Sequence, residues 1–231
     1  MGRNLLKLKV DQSLLNTWDK SHALIDLYHR RALGLEPETT CAAQAREILT
    51  AEAAFGDSVL DVGCGTAWFT HSVQRAQLGL QYFGIDKTEK FIEIARQIFA
   101  SSEFSPDRLF SGAIEHSFGA FDHVVCMNVL SNLDNWHRPL DRMAKLAKKT
   151  IILRESLAES STYSLVVDRF LDLAEPLWVH VNTYSISEID AFMKERGYLT
   201  EIVTDHRTGG SPELVIGYPH HWTFAVFRKV S

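Results

Sequence analysis

Apolar and polar positions fall in alternating blocks along the chain. Short apolar, often β-branched runs occur at Val59–Val62, Gln81–Asp86, Arg108–Ser111, Phe121–Met127 and Thr150–Arg154. Each reads as a strand. Between them the apolar residues recur at three- and four-residue steps. Phe69, Val73 and Ala76 share one helical face behind Thr66. Phe91, Ile92, Ile94, Ala95, Ile98 and Phe99 form a stripe behind Thr88, a predicted helix cap. His137 to Lys148 predicts another helix, with Pro139 near its first position. Strands alternating with helices imply a mostly parallel sheet covered on both faces, an α/β three-layer sandwich.

The flanks add further elements. Gln12 to about Leu35 and Ala42 to Ala54 read as helices. No linker composition separates them from the first strand, so residues 1–54 are expected to cap the same domain. Ser164 to Trp178 is apolar on most of its circumference and predicts a helix that is buried or covers a pocket. Ser185-Ile-Ser-Glu188 is a capping box, and the helix it opens ends at Gly197. Leu199 to Thr204 and Trp222 to Phe227 read as the last strands. Asp205 to His221, with Gly209, Gly210, Pro212 and Pro219, reads as loop.

Composition narrows the class. The 231 residues are 45% hydrophobic and 23% charged, enough for one large domain with a proper core. The net charge of -5 argues against a general attraction to nucleic acid. Lys145, Lys148 and Lys149 make a small basic group, read as helix-end lysines. Cys41, Cys64 and Cys126 fit no zinc or C-x-x-C spacing and suggest reduced thiols, hence an expected cytoplasmic location. No metal is expected. The apolar run within Met1 to Lys9 is too short for a signal peptide, and no stretch reaches the length of a membrane span.

Val59-Leu-Asp-Val-Gly-Cys-Gly-Thr-Ala-Trp-Phe-Thr70 carries the most specific chemistry. It is a strand, a glycine turn and a helix start. Gly63 and Gly65 allow a tight turn and close approach of a ligand to backbone. Asp61 is a carboxylate on a buried strand, costly without hydrogen bonds or a cation. The rival reading is the dinucleotide fingerprint G-x-G-x-x-G, but its third glycine, which allows close helix packing, is here Trp68. A second acid, Asp86, ends the next strand 25 residues after Asp61. An acid there can accept from both hydroxyls of a ribose; the plainer alternative is a helix N-terminal acid.

Asp61, Gly63 and Gly65 resemble motif I (E/D-x-G-x-G-x) of the class I, seven-stranded S-adenosylmethionine (SAM)-dependent methyltransferases, and Asp86 matches their ribose acid. The resemblance covers about residues 55–229. It implies a seven-stranded sheet with an antiparallel last strand, SAM as cofactor, S-adenosylhomocysteine (SAH) as product, and a substrate-covering lid at about 157–184. It places cofactor contacts at Asp61, Gly63, Gly65, Asp86, Lys87, Ala113, Ile114 and Asn128. Two departures stand out. The family often carries an acid after the third strand, where this chain has Ala113; packing by Ile114, backbone N–H groups or Glu115 would then serve the adenine. The fourth strand is followed by Asn128-Val-Leu-Ser-Asn-Leu-Asp134, with no N-P-P-Y or D-P-P-Y run, which counts against methylation of nucleobase amines.

Methyl transfer is an in-line displacement in which the protein chiefly aligns the reactants and excludes water. A hydroxyl acceptor gains from a base near neutrality; an amine needs little more than a polar cradle. Candidates on the carboxyl edge are His180 and Glu155 as catalytic groups, and Ser131, Arg154, Tyr184 and His221 as acceptor contacts, with His206 and His220 nearby. Most of the ten histidines must be incidental, and Arg154-Glu155 is equally an ordinary strand-end ion pair. The expected function is methylation of an O or N atom of a small molecule, with no membrane partner and with a homodimer left open. The alternatives are a SAM-fold enzyme of other chemistry, such as aminopropyl transfer or carboxyl-SAM formation, and a non-catalytic SAM-binding protein.

Overall fold

The computed structural model describes residues 18, 20–100, 104–168 and 177–230. Two helices, α1 (His22–Ala32) and α2 (Thr40–Glu52), precede the first strand. There follow β1 (Ser58–Val62), α3 (Thr70–Arg75), β2 (Gln81–Asp86), α4 (Glu89–Phe99), β3 (Leu109–Ser111), β4 (Phe121–Met127), α5 (His137–Leu146) and β5 (Ala147–Ala158). The second half holds β6 (Leu165–Asp168), β7 (Leu177–His180), β8 (Tyr184–Ser185), α6 (Ile186–Lys194), β9 (Tyr198–Thr204), β10 (Glu213–Val215), β11 (Tyr218–His220) and β12 (Trp222–Lys229).

The main sheet runs β3-β2-β1-β4-β5-β12-β9, with the short β8 added in parallel to the far end of β5. The pairs among β1 to β5 are parallel, and β12 runs antiparallel to both β5 and β9. The strand alternation explains why both faces are covered. Leu60, Val62, Val124 and Cys126 point into one core with Leu140, Met143, Ile189 and Met193 of α5 and α6. Val59, Val125 and Ile152 point into the other, with Ala45 and Leu49 of α2 and Ile92 and Ala95 of α4. A run apolar at every position is what a strand buried on two sides requires. The chain reverses direction across the sheet between β1 and β4, and ligands of such sheets bind beyond the carboxyl ends of the strands at that point.

Four expectations need correction. The apolar stretch 164–178 is not a helix where it is described: β6 and β7 pair antiparallel, Leu165 with His180 and Val167 with Trp178. Val166, Val167, Trp178 and Val179 are β-branched or aromatic, and cross-strand pairing outweighs the helical pattern. Phe170, Leu171 and Leu173 lie outside the described residues, as do Leu14 and Leu15 at the other end. Thr66 does not open α3, which starts at Thr70; its hydroxyl donates to the Tyr28 carbonyl at 2.7 Å. Thr88 precedes α4 without a side-chain cap bond. The 205–221 segment is not all loop, since β10 and β11 form a hairpin in it.

Helix α1 is capped by Ser21, whose Oγ accepts from Leu24 N at 3.3 Å. It is fastened over the first glycine turn. Besides the Thr66 bond, a ring nitrogen of His71 meets the Ala32 carbonyl at 2.8 Å, and Tyr28 stacks on Phe91 with centroids 5.1 Å apart.

Candidate functional site

The turn after β1 is tied to the end of β2. Gly63 N and Cys64 N both donate to the Ile85 carbonyl, at 2.8 and 3.1 Å. Gly65 N donates to Asp86 Oδ2 at 2.8 Å, and Asp86 Oδ1 accepts from Thr88 N at 2.7 Å. Asp86 therefore holds the glycine turn and the start of α4 together, with lone pairs left over. Gly63 and Gly65 have φ of +73° and +54°. A Cβ at Gly63 would lie inside the Val129 side chain, and one at Gly65 would come within 3.1 Å of the Tyr28 ring. Their room is thus filled by the protein's own side chains as well as facing the cavity.

That cavity has a volume of about 410 Å³ and opens over the ends of β1, β2 and β4. Every residue the resemblance marked for the cofactor lines it: Asp61, Gly63, Gly65, Asp86, Lys87, Ala113, Ile114 and Asn128. Ile114 is buried, and no acid replaces the missing one at Ala113. Tyr28, Arg31, Cys41, Trp68 and Arg207 line it too, and the sequence had not marked them for a binding role. Tyr28 and Arg31 are three apart on α1, so they share a face; an interrupted apolar pattern on a short helix concealed that. Trp68, taken only as a missing glycine, is a wall residue.

The cavity wall carries charges of both signs. Asp61 is buried, and Tyr82 donates its hydroxyl to Asp61 Oδ2 at 2.6 Å. No cation of the described residues pairs with it. Burial, helped by the negative Asp86 and opposed by the Tyr82 bond, pushes its carboxyl up to about 7. Asp86 is also raised, by burial acting against its bonds from Thr88 and Gly65. Arg31 is half-buried between the rings of Tyr28 and Trp68, 5.5 and 5.2 Å from their centroids, and meets no carboxylate among the described residues. Lys87 likewise has no carboxylate partner, while Arg138 and Arg207 are paired with Asp134 and Glu213.

The residues marked for the acceptor are not gathered in the cavity. Glu155 is fully buried outside its lining, and accepts from Val129 N at 2.5 Å, Leu130 N at 2.7 Å and Ser131 N at 3.0 Å. Burial raises its carboxyl against those bonds. It holds the 3₁₀ turn Leu130–Asn132 and is in no position to take a proton from an acceptor. Ser131 is buried in that turn, and Tyr184 donates its hydroxyl to the Leu130 carbonyl at 2.5 Å. His221 hydrogen-bonds through its backbone N to Ser156 Oγ at 2.9 Å. His180 lies half-buried on β7, off the cavity lining; burial lowers its imidazole, opposed by Asp134, which does line the cavity. His220 packs on Trp222 with centroids 4.8 Å apart, and His206 is exposed near Glu47. Arg154 is not an exposed anchor either. Its Nε donates to Asp205 Oδ2 at 2.7 Å, its Nη1 donates to Asn128 Oδ1, and its guanidinium lies 4.6 Å from the Trp222 ring centroid. None of this group lines the cavity; Asn128, marked for the cofactor and bound by Arg154, does.

Residues 60–150 match a family model described as a methyltransferase domain. The ubiquinone biosynthesis O-methyltransferase of Azoarcus sp. (strain BH72) is 33% identical over 96 residues, and the match spans 40% of each chain. Two solved structures share the fold. Magnesium protoporphyrin IX methyltransferase from Synechocystis PCC 6803, with SAH bound, superposes with a TM-score of 0.62 at 16% identity, covering 95% of this chain and 100% of that one. A SAM-bound amino pentose methyltransferase from Micromonospora echinaspora gives 0.58 at 14% identity, covering 84% and 92%. Among the described residues, no helix is long and apolar enough to cross a membrane. The sheet order and the glycine turn tied to Asp86 agree with the matched segment: residues 60–150 are similar to a methyltransferase domain, and the chain has the class I, Rossmann-like methyltransferase fold.

Proposed function

We propose that the protein transfers a methyl group from SAM to an O or N atom of a small molecule. The observation that carries this reading is the cavity wall itself. It joins a ribose-type acid, Asp86, to two charges that lack partners of opposite sign among the described residues, Asp61 and Arg31. Asp86 would accept from the ribose hydroxyls with the lone pairs left by Gly65 N and Thr88 N. Asp61 would meet the ammonium and Arg31 the carboxylate of the methionine part. Ile114 and Ala113 would pack on the adenine. When bound, SAM supplies an activated methyl with a neutral leaving group. The chain then has to orient the acceptor and exclude water. The roof made by α1 and Trp68 suits the second task, and the wall at Asn128 suits the first.

The acceptor is read as a small molecule because helix α1 covers the cavity, whose volume of about 410 Å³ has to hold SAM as well. The ubiquinone biosynthesis O-methyltransferase and the amino pentose methyltransferase are named for activities of that kind. A homodimer remains part of the same proposal. The test is mass spectrometry of a cell extract incubated with the protein and methyl-labelled SAM. The expected result is a labelled small molecule that disappears with Asp86→Ala. Tight SAM binding without any labelled product would favour a non-catalytic SAM-binding protein, and transfer of a different part of SAM would favour the other chemistries.

A further inference from the structure

The wall at Asn128 has a polarity that nothing in the local sequence sets. Asn128 directly follows β4 in the left-handed region, φ +59°, and lines the cavity. Its Oδ1 is held by Nη1 of Arg154. A guanidinium has donors only, so this contact decides which way the amide faces: the carbonyl oxygen is turned to Arg154 and the NH₂ is left as a donor. No described residue accepts from that NH₂. The backbone carbonyl of Asn128 is likewise taken, by Asn132 Nδ2 at 2.9 Å.

Arg154 is fixed from the other side. It is buried, its Nε meets Asp205 Oδ2 at 2.7 Å, and it stacks against Trp222. Asp205 in turn accepts from Thr208 N and Thr208 Oγ1, at 3.1 and 3.2 Å, which shapes the turn carrying the lining residue Arg207. A buried ion pair is weak evidence for stability, since apolar residues of similar volume often serve as well. Its fork geometry, however, orients two partners at once.

We infer that Arg154 is a positioning residue that turns Asn128 into a hydrogen-bond donor facing the acceptor, and that the acceptor atom is therefore an oxygen. This rests on the methyl-transfer reading above. A hydroxyl or carboxylate oxygen has two lone pairs, one to attack the methyl and one to accept from Asn128 Nδ2. An amine must use its lone pair for attack and can offer the protein only N–H groups. Those would face the Asn128 NH₂ donor to donor. An amine-selecting wall needs the reverse, an amide oxygen turned to the acceptor, and here that oxygen is turned to Arg154. The proton released by a hydroxyl goes to solvent or a bound water; for a carboxylate there is none to release.

The product of the cell extract treated with methyl-¹³C SAM tests this directly by carbon NMR, where O-methyl and N-methyl carbons resonate in separate windows. An O-methyl product is expected. An N-methyl product overturns the inference and leaves methyl transfer standing. No product refutes methyl transfer and this inference with it, whereas SAM binding measured by calorimetry separates that case from an unfolded sample. Two variants test the positioning role. Asn128→Asp keeps the contact with Arg154 and replaces the donor by an acceptor oxygen. Arg154→Met removes the fork while filling its volume. With the O-methyl acceptor identified by that product, both should raise its KM at least roughly tenfold with a smaller change in kcat, since a donor matched to a substrate lone pair is lost. SAH affinity by calorimetry should move less than threefold. Equal KM values in all three proteins overturn the assignment of Asn128 as the donor. A tenfold loss of SAH affinity in Asn128→Asp also overturns it, by placing the NH₂ at the cofactor.

Discussion

Asp61→Asn separates the electrostatics of the site from its shape. The Asp61 carboxylate is buried with a single hydroxyl donor and no cation among the described residues. Its rise from 3.8 to about 7 is roughly three pH units. At about 1.4 kcal/mol per unit, ionising it costs the fold about 4 kcal/mol, to order of magnitude. The sign follows from proton counting. Between about pH 4 and pH 7 the folded chain holds a proton that the unfolded chain has released, so stability falls as pH rises through that window and levels off above it. Asn keeps an oxygen for the Tyr82 hydroxyl and removes the titration, at a cost of about 1–3 kcal/mol for an NH₂ without a partner, the same at every pH. Urea unfolding without SAM, at steps from about pH 4 to pH 8, should show the wild type losing about 4 kcal/mol relative to Asp61→Asn. If Asp61 meets the methionine ammonium, SAM affinity of the wild type should also rise with pH through the same window, and that of the variant should not. Parallel stability curves for the two proteins would refute the reasoning.

Three further variants probe the scaffold. Gly63→Ala should destabilise by at least about 2 kcal/mol, from its φ of +73° and the overlap with Val129; adding Val129→Ala should restore part of this in a thermal melt, which a purely ligand-filled space would not allow. Glu155→Ala leaves two buried N–H groups and the part-buried one of Val129 unpaired and should cost about 3–5 kcal/mol by denaturant titration; an unchanged midpoint would show that the turn holds itself. His180→Ala should leave turnover within about threefold, because the imidazole lies off the cavity, whereas a drop of about 10²–10⁴ would mark it as the base after all.

The sheet and the strand-end residues that line the cavity over β1 and β2 were readable because their signals are local. The two-sided burial of β1 and β4 appears as unbroken apolar runs, and Asp61, Gly63, Gly65 and Asp86 sit at strand ends where the chain must turn. The acceptor side was not readable, because its contacts are made across the sheet. Arg154 and Glu155 are neighbours in sequence, yet one turns to Asp205 and Asn128 and the other to the N–H groups of Val129, Leu130 and Ser131. Adjacent residues on a strand face opposite ways, so the pair that looked like an ion pair is two separate networks. Arg31 was missed for a similar reason: its aromatic neighbours come from its own helix and from the turn after β1.

The central claim is that the cavity over β1 and β2 is a SAM site anchored on Asp86. Calorimetric titration of the protein and of Asp86→Ala with SAM and with NAD tests it most directly, with a melt of each protein as control because Asp86 also holds Gly65 N and Thr88 N. The account predicts micromolar SAM binding, weakened by about 2–3 kcal/mol in a folded Asp86→Ala, and no NAD binding. NAD binding without SAM binding, or SAM affinity unchanged in Asp86→Ala, would contradict it.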